Sequence, residues 1–227
     1  MNSVRYYILF KRVLLFQLLN YCQFREENFN LYDKVNPLDL SYIGEEGIIS
    51  VLPYREQTGR RIVVFKVGKW DPSKTHMDDL FKASVAALEV GILEPRAQIL
   101  GGVAIFDMEG LSLQHAFNIT PAVVSRVFQI MVTSLPMKVH SIHIINESWI
   151  FEKIFSMFKP LLGRRYSESL FCHGSNIESL HKHIEPKYLP RIYGGIRPDY
   201  GYIEWFLSLG RCPDVVKGIR HILKFKC

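Results

Sequence analysis

"SLPMKVHSIHIINESWIFEKIFSMFKPLLGRR", from Ser134 to Arg165, joins two kinds of segment that rarely follow each other so closely. "MKVHSIHIIN" is a short β-branched run and reads as a buried strand. After Asn146 the period changes. Plotted at about 100° per residue from Trp149, the residues Met157, Ile150, Leu161, Ile154, Phe158, Phe151, Leu162 and Phe155 fall in one arc roughly 160° wide. Lys159, Glu152, Ser156 and Lys153 occupy the other side, and Trp149 lies outside the arc. An ordinary surface helix carries an apolar stripe of about 100°. Two readings compete: a helix packed deep in the core, and a helix that covers an apolar ligand and can swing outward. Three Phe and a Met make the soft wall that lipid would need. Pro160 and Gly163 supply a break at the far end. Lys138, His140, Arg164 and Arg165 put basic groups on both flanks.

Outward from this stretch the same alternation recurs. "GIISVLP" (47–53) and "RIVVFKVG" (61–68) read as strands, and "ILGGVAIFDMEG" (99–110) as a central strand apolar on both faces. A helix is expected from an N-cap at Thr75, with Asp78 and Asp79 in its first turn, to a stop at Pro95. A second begins at Thr120 with Pro121 in its first turn and runs to Pro136. "ESLFCHG" (168–174) is a fifth strand, and helices are expected at about 176–183, 200–209 and 214–225. Strands alternating with helices predict an α/β layered domain with an open, mostly parallel sheet of about five strands.

The chain has 227 residues, a length for one domain of ordinary size. It is 48% hydrophobic and 22% charged, a globular composition, and its 15 Phe and 11 Tyr suit a large core or an apolar cavity. The net charge of +6 favours anionic partners, a phospholipid surface or nucleic acid. The basic residues are dispersed, with no zinc-finger spacing and no aromatic RNA-binding signature, so nucleic acid is the weaker choice. Cys22, Cys172, Cys212 and Cys227 include no C-x-x-C pair; no zinc site is indicated, and reduced cysteines in a cytosolic protein are the simplest reading. "YYILFKRVLLFQLLNY" (6–21) is interrupted by Lys11 and Arg12 and falls short of the ~18 apolar residues of a membrane helix. An amphipathic helix over 4–27 is expected, with a membrane anchor as the lesser alternative.

Catalytic motifs are missing: no G-x-S-x-G, H-E-x-x-H, G-x-x-x-x-G-K-S/T or G-x-G-x-x-G. Asp107 and Glu109 could pair as an acid and base or hold a metal, but a solvated strand end is the better reading. His173 before "GSN" suits a turn, and His181 and His183, two apart, would not share a helix face. No enzyme, cofactor or metal is expected.

"AIFDMEGLSLQHAFNITPAVV", the stretch from Ser134 to Leu162, "CHGSNIESLHKHI", "LPRIYGG" and "VGKWDP" together resemble the CRAL-TRIO (Sec-fourteen-like) lipid-binding family. The likeness spans about residues 20–200 and is strongest to its alpha-tocopherol transfer and retinaldehyde-binding branch. It implies a sheet forming the floor of a lipid cavity, helical walls and a mobile helical lid, here Asn146 through Leu162. The implied lining is Phe81, Ser84, Leu88, Val103, Phe106, Val127, Ile130, Met131, Leu135, Val139 and Ile142, with Phe151, Ile154, Phe155 and Phe158 from the lid. The implied phosphoinositide headgroup site is Lys138, His140, Arg164 and Arg165; His140 and Ser169 stand where those relatives carry arginines. The domains implied are 1–35, the last helix of a helical domain, 36–200, the lipid-binding domain, and 201–227, a helical extension. The implied function is non-enzymatic carriage of one hydrophobic molecule by a monomeric cytoplasmic protein that visits anionic, phosphoinositide-containing membranes. A phosphoinositide-sensing adaptor without transfer, an enzyme acting on lipid, and a shortened isoform are the alternatives.

Overall fold

A computed structural model describes residues 2–32, 41–162, 168–201, 204, 205 and 207. The expected helices at 200–209 and 214–225, and with them the extension 201–227, lie essentially outside the described residues.

Five strands form one sheet in the order β1-β2-β3-β4-β5: β1 (Ile49–Arg55), β2 (Arg61–Lys66), β3 (Gly102–Asp107), β4 (Val139–Ile145) and β5 (Leu170–Cys172). β1 pairs antiparallel with β2 across a short turn; the remaining pairs are parallel. Parallel neighbours need long crossovers, and helices supply them. These are α3 (Met77–Leu93) and α4 (Pro95–Leu100) before β3, then α5 (Leu113–Asn118) and α6 (Pro121–Phe128) before β4. α7 (Trp149–Phe158) precedes β5, and α8 (Ile177–His181) follows it. The α/β class, the mostly parallel sheet and its strand number are as the alternating pattern predicts. Before the sheet come α1 (Asn2–Glu27) and α2 (Ser41–Glu45).

Alternation along the strands sorts side chains into two layers. Ile62, Val64, Val103, Ile105 and Ile145 face one way and pack with Leu180, Ile184, Leu189 and Tyr193. Phe65, Phe106, Ile142 and Ile144 face the other way, toward α3, α5, α6 and α7. Asp107 ends β3 on the first face, buried, accepting from Tyr193 Oη at 3.0 Å and Asn146 Nδ2 at 2.8 Å. It therefore holds a strand end and the turn before α7 in place, and is not a solvated tip.

Two helix boundaries differ from expectation. α3 is capped by His76, whose side chain accepts from the Asp78 N–H; Thr75 instead turns its hydroxyl to Glu46 and its carbonyl to the Trp70 indole. Thr120 does cap α6, with Pro121 in the first turn, but the α-helix gives way at Gln129 to a π-helical turn through Ser134. Thr133 Oγ1 donates to the Gln129 carbonyl within that turn.

Candidate functional site

The lid stretch forms as its arc predicts. Ser148 stands at the N-cap, and Pro160 falls in the 3₁₀ turn Lys159–Leu161 that ends the helix. Ile150, Phe151 and Ile154 are buried against Leu111 and Ile144, while Trp149 is 56% exposed. The Lys153 ammonium sits 5.1 Å from the Trp149 ring centroid.

Beneath α7 lies an apolar cavity of about 180 Å³, adjoined by a second of about 90 Å³ that shares Phe106, Met108, Val127, Met131, Phe151 and Phe158. The stacked rings of Phe65 and Phe106, 4.8 Å apart, form part of the floor. α3 gives Phe81, Ser84 and Leu88, the α6 side gives Val127, Ile130 and Met131, and α7 gives Phe151, Ile154 and Phe158. Ile142 and Phe155 line the adjoining cavity. The described wall holds no charged side chain. Its two polar groups are committed: Ser84 Oγ donates to the Leu80 carbonyl at 2.7 Å, and Trp70 Nε1 to the Thr75 carbonyl at 2.8 Å.

Three expected lining residues stand elsewhere. Val103 cannot share a face with Phe106, because three residues along a strand reverse the side-chain direction; it packs on the opposite layer. Leu135 follows the π-helical turn in extended conformation. It packs with Phe24, Leu31 and Tyr32 behind the wall helix, and Val139 packs against the same group. The pairing of β3 with β4 shifts between Gly102 and Val103, so Val139 and Ser141 do not keep simple alternation. Lining residues missed from sequence include Phe65, Met77, Leu80 and Val123. The spacing of Val123, Val127, Ile130 and Met131 on one helical face was the available signal.

Of the headgroup residues, Arg164 and Arg165 lie outside the described residues. Lys138 is exposed, and His140 opens into a polar cleft of about 290 Å³ on the layer opposite the apolar cavity. Burial, then Arg60 and Lys138, hold the His140 pKa below its ordinary value, and its Nδ1 is buried without a partner among the described residues. Arg60, which the sequence reading overlooked, shares this cleft with Glu56, Thr58, Ser141, His143, Ser169 and His183. Its guanidinium donates to the Leu100 carbonyl at 3.1 Å and to Thr58, and lies 3.5 Å from Glu56. Its charge is thus largely answered inside the protein.

Cys22 and Cys172 are free thiols, and burial followed by Glu147 pushes the Cys172 thiol up to about 11. Among the described residues, no group of three or more His, Cys, Asp or Glu side chains is placed to hold a metal, and no helix is long and apolar enough to cross a membrane.

Clavesin-1 of Rattus norvegicus is 30% identical over 194 residues, covering 85% of this chain and 55% of the relative. Clavesin-2 of Homo sapiens is 28% identical over 194 residues, covering 85% and 59%. The chain thus spans little more than half the length of these relatives. The crystal structure of Sfh5 superposes with a TM-score of 0.54 at 13% identity over 79% of this chain and 64% of that one, a likeness of fold. A family model, the CRAL/TRIO domain, matches residues 45–195, which hold all five strands and the lid, and the chain belongs to that family.

Proposed function

We propose that this protein binds one small hydrophobic molecule beneath α7 and carries it between membranes without chemical change. The carrying observation is the cavity itself: an apolar chamber, walled by α3, α6 and the sheet, and closed by an amphipathic helix with natural breaks at both ends. Apolar burial supplies affinity in such a site, and the shape of the wall selects the ligand. The narrower likeness to the alpha-tocopherol and retinaldehyde branch suggests a tocopherol-like or retinoid-like molecule. Ligand release belongs at the membrane, where Lys138, with His140, Arg164 and Arg165, would meet phosphoinositide headgroups. In this reading the protein is a cytoplasmic monomer that docks transiently.

The test is binding of a fluorescent tocopherol or retinoid analogue, with mass spectrometry of co-purified lipid. Phe158→Asp places a carboxylate in the cavity wall and should abolish binding while the circular dichroism spectrum is kept. Unchanged binding in a folded variant would refute the site. The polar cleft around His140 favours one second reading, a phosphoinositide-sensing adaptor that transfers nothing. Vesicle binding that depends on phosphoinositide content, with no extractable ligand, would select it.

A further inference from the structure

Behind β4 and β5, on the layer away from the apolar cavity, four side chains form one hydrogen-bonded chain. Ser141 Oγ lies 3.0 Å from His143 Nε2, His143 Nδ1 lies 3.0 Å from His173 Nε2, and His173 Nδ1 lies 2.9 Å from Ser179 Oγ. Both imidazoles are buried. The His183 ring packs over them, its centroid 5.1 Å from that of His143 and 5.7 Å from that of His173.

Proton accounting limits this chain. A neutral imidazole carries one N–H, so one ring donates across the His143–His173 contact and the other accepts, while the end hydroxyls adapt to either arrangement. One added proton still leaves an acceptor at the contact. A second sets two N–H groups against each other at 3.0 Å, and the rings must part.

The chain abuts the root of the lid. The His173 backbone N–H donates to Glu147 Oε1 at 2.9 Å and to the Ile144 carbonyl at 3.0 Å. The Asn146 N–H donates to the Gly174 carbonyl at 2.7 Å. Asn146 itself has φ 57°, a left-handed conformation that must be held by its surroundings. Among the described residues Ser148 Oγ is buried without a partner, and the Glu147 carboxylate, its Oε2 buried, interacts with the Cys172 thiol. β5 is the short edge strand, joined to β4 through only three residue pairs.

We propose that Asn146–Ser148 is a proton-gated hinge: charging the His143–His173 pair parts the end of β5 from β4, frees Glu147 and lets α7 swing outward. The proposal rests on reading α7 as the cavity's cover. Groups of both signs surround the pair. His140 stands on β4, His183 follows α8, and Arg60 on the β1–β2 turn is paired with Glu56. Glu168 lines the same cleft. Cys172 lies on the Glu147 side. Glu147 is engaged by the backbone N–H of His173, not by its ring. Burial, then His173 and His183, push His143 down to about 3, and burial lowers His173. The parted rings would titrate near ~6.5, so acid below that point draws the hinge open.

The test is hydrogen exchange on the full chain at pH 7.5 and pH 5.0, corrected for intrinsic rates. At pH 5.0 a ring that titrates near ~6.5 when parted but stays neutral when packed favours the open form roughly thirtyfold, so exchange in Trp149–Phe158 should rise tenfold or more while β3 stays protected. The step should vanish in His143→Asn/His173→Gln. Glu147→Ala should raise lid exchange already at pH 7.5. A lid indifferent to acid, an equal rise in β3, a step that survives in the double variant, or normal lid exchange in Glu147→Ala would overturn the proposal. Imidazole titration by NMR in the unaltered protein needs no variant: His143 and His173 must titrate together with the loss of lid protection, and separate midpoints refute the hinge. Because these readouts need no ligand, loss of the carrier reading through failed ligand binding would be seen separately.

Discussion

Arg25 and Glu89 meet 3.1 Å apart with side chains only 4% and 3% exposed. Tyr21 Oη donates to both Glu89 oxygens, at 2.7 and 2.8 Å, and the Arg25 guanidinium lies 4.2 Å from the Tyr32 ring centroid. Burial still outweighs these partners and raises the Glu89 pKa. A buried pair adds little net stability over apolar residues, but removing one member strands the other, at about 3–5 kcal/mol. Arg25→Met should therefore lose that much in urea unfolding at pH 7.5. The sign of the pH effect follows from Glu89: its folded-state pKa, raised further without Arg25, would lie above the unfolded value. The native state then binds the proton more readily, and the variant should regain stability as pH falls toward 5. A loss independent of pH would mean that packing, not charge, holds α1 to α3. The pair sits next to Leu88, a cavity residue, so the same variant tests whether α1 braces the wall.

The lid is legible in the sequence because one segment carries an unbroken apolar arc. The resemblance implies both Val103 and Phe106 as lining, but strand parity puts residues 103 and 106 on opposite layers. Arg60 was invisible for another reason: its place beside His140 is made by pairing across β2, β3 and β4, and no local pattern records that. The outer face of the lid carries its own consequence. Trp149 on α7, with Leu113 and Phe117 on the neighbouring α5, is 56%, 50% and 81% exposed, and Lys153 lies beside the indole. Aromatic groups flanked by a cation suit the headgroup region of a bilayer. Phe117→Ser with Trp149→Ser should weaken binding to anionic vesicles at least about tenfold, since burying these side chains contributes roughly 1.5–3 kcal/mol each. Ligand affinity in solution should be unchanged, because neither residue lines the cavity. Equal vesicle binding by the variant would place the docking face elsewhere.

The molecule as a whole divides its chemistry between the two layers of the sheet. Imidazoles, Arg60 and the carboxylates of the polar cleft lie on one side, and the chamber on the other is walled by hydrocarbon, ring and thioether groups. That division bears on which hydrophobic molecule can enter. A carboxylate under the lid would find no cation among the described lining residues, and both polar groups of the wall already have acceptors. An ion buried without a partner costs several kcal/mol even after relaxation. A hydroxyl costs far less, because the Ser84 oxygen can still accept a hydrogen bond. Compounds sharing one saturated skeleton separate the effects: phytane, phytanol and phytanic acid differ only at the terminal group. At pH 8 phytanol and phytane should bind, and the acid should bind at least about a hundredfold more weakly, a difference of about 2.7 kcal/mol. Lowering the pH toward the acid's own pKa should restore its affinity, because the neutral form loses the charge penalty. Binding of none of the three would refute the cavity as a ligand site. Equal binding of acid and alcohol at pH 8 would instead show that the charged end stays outside, at the rim beside α7, with only the chain beneath the lid.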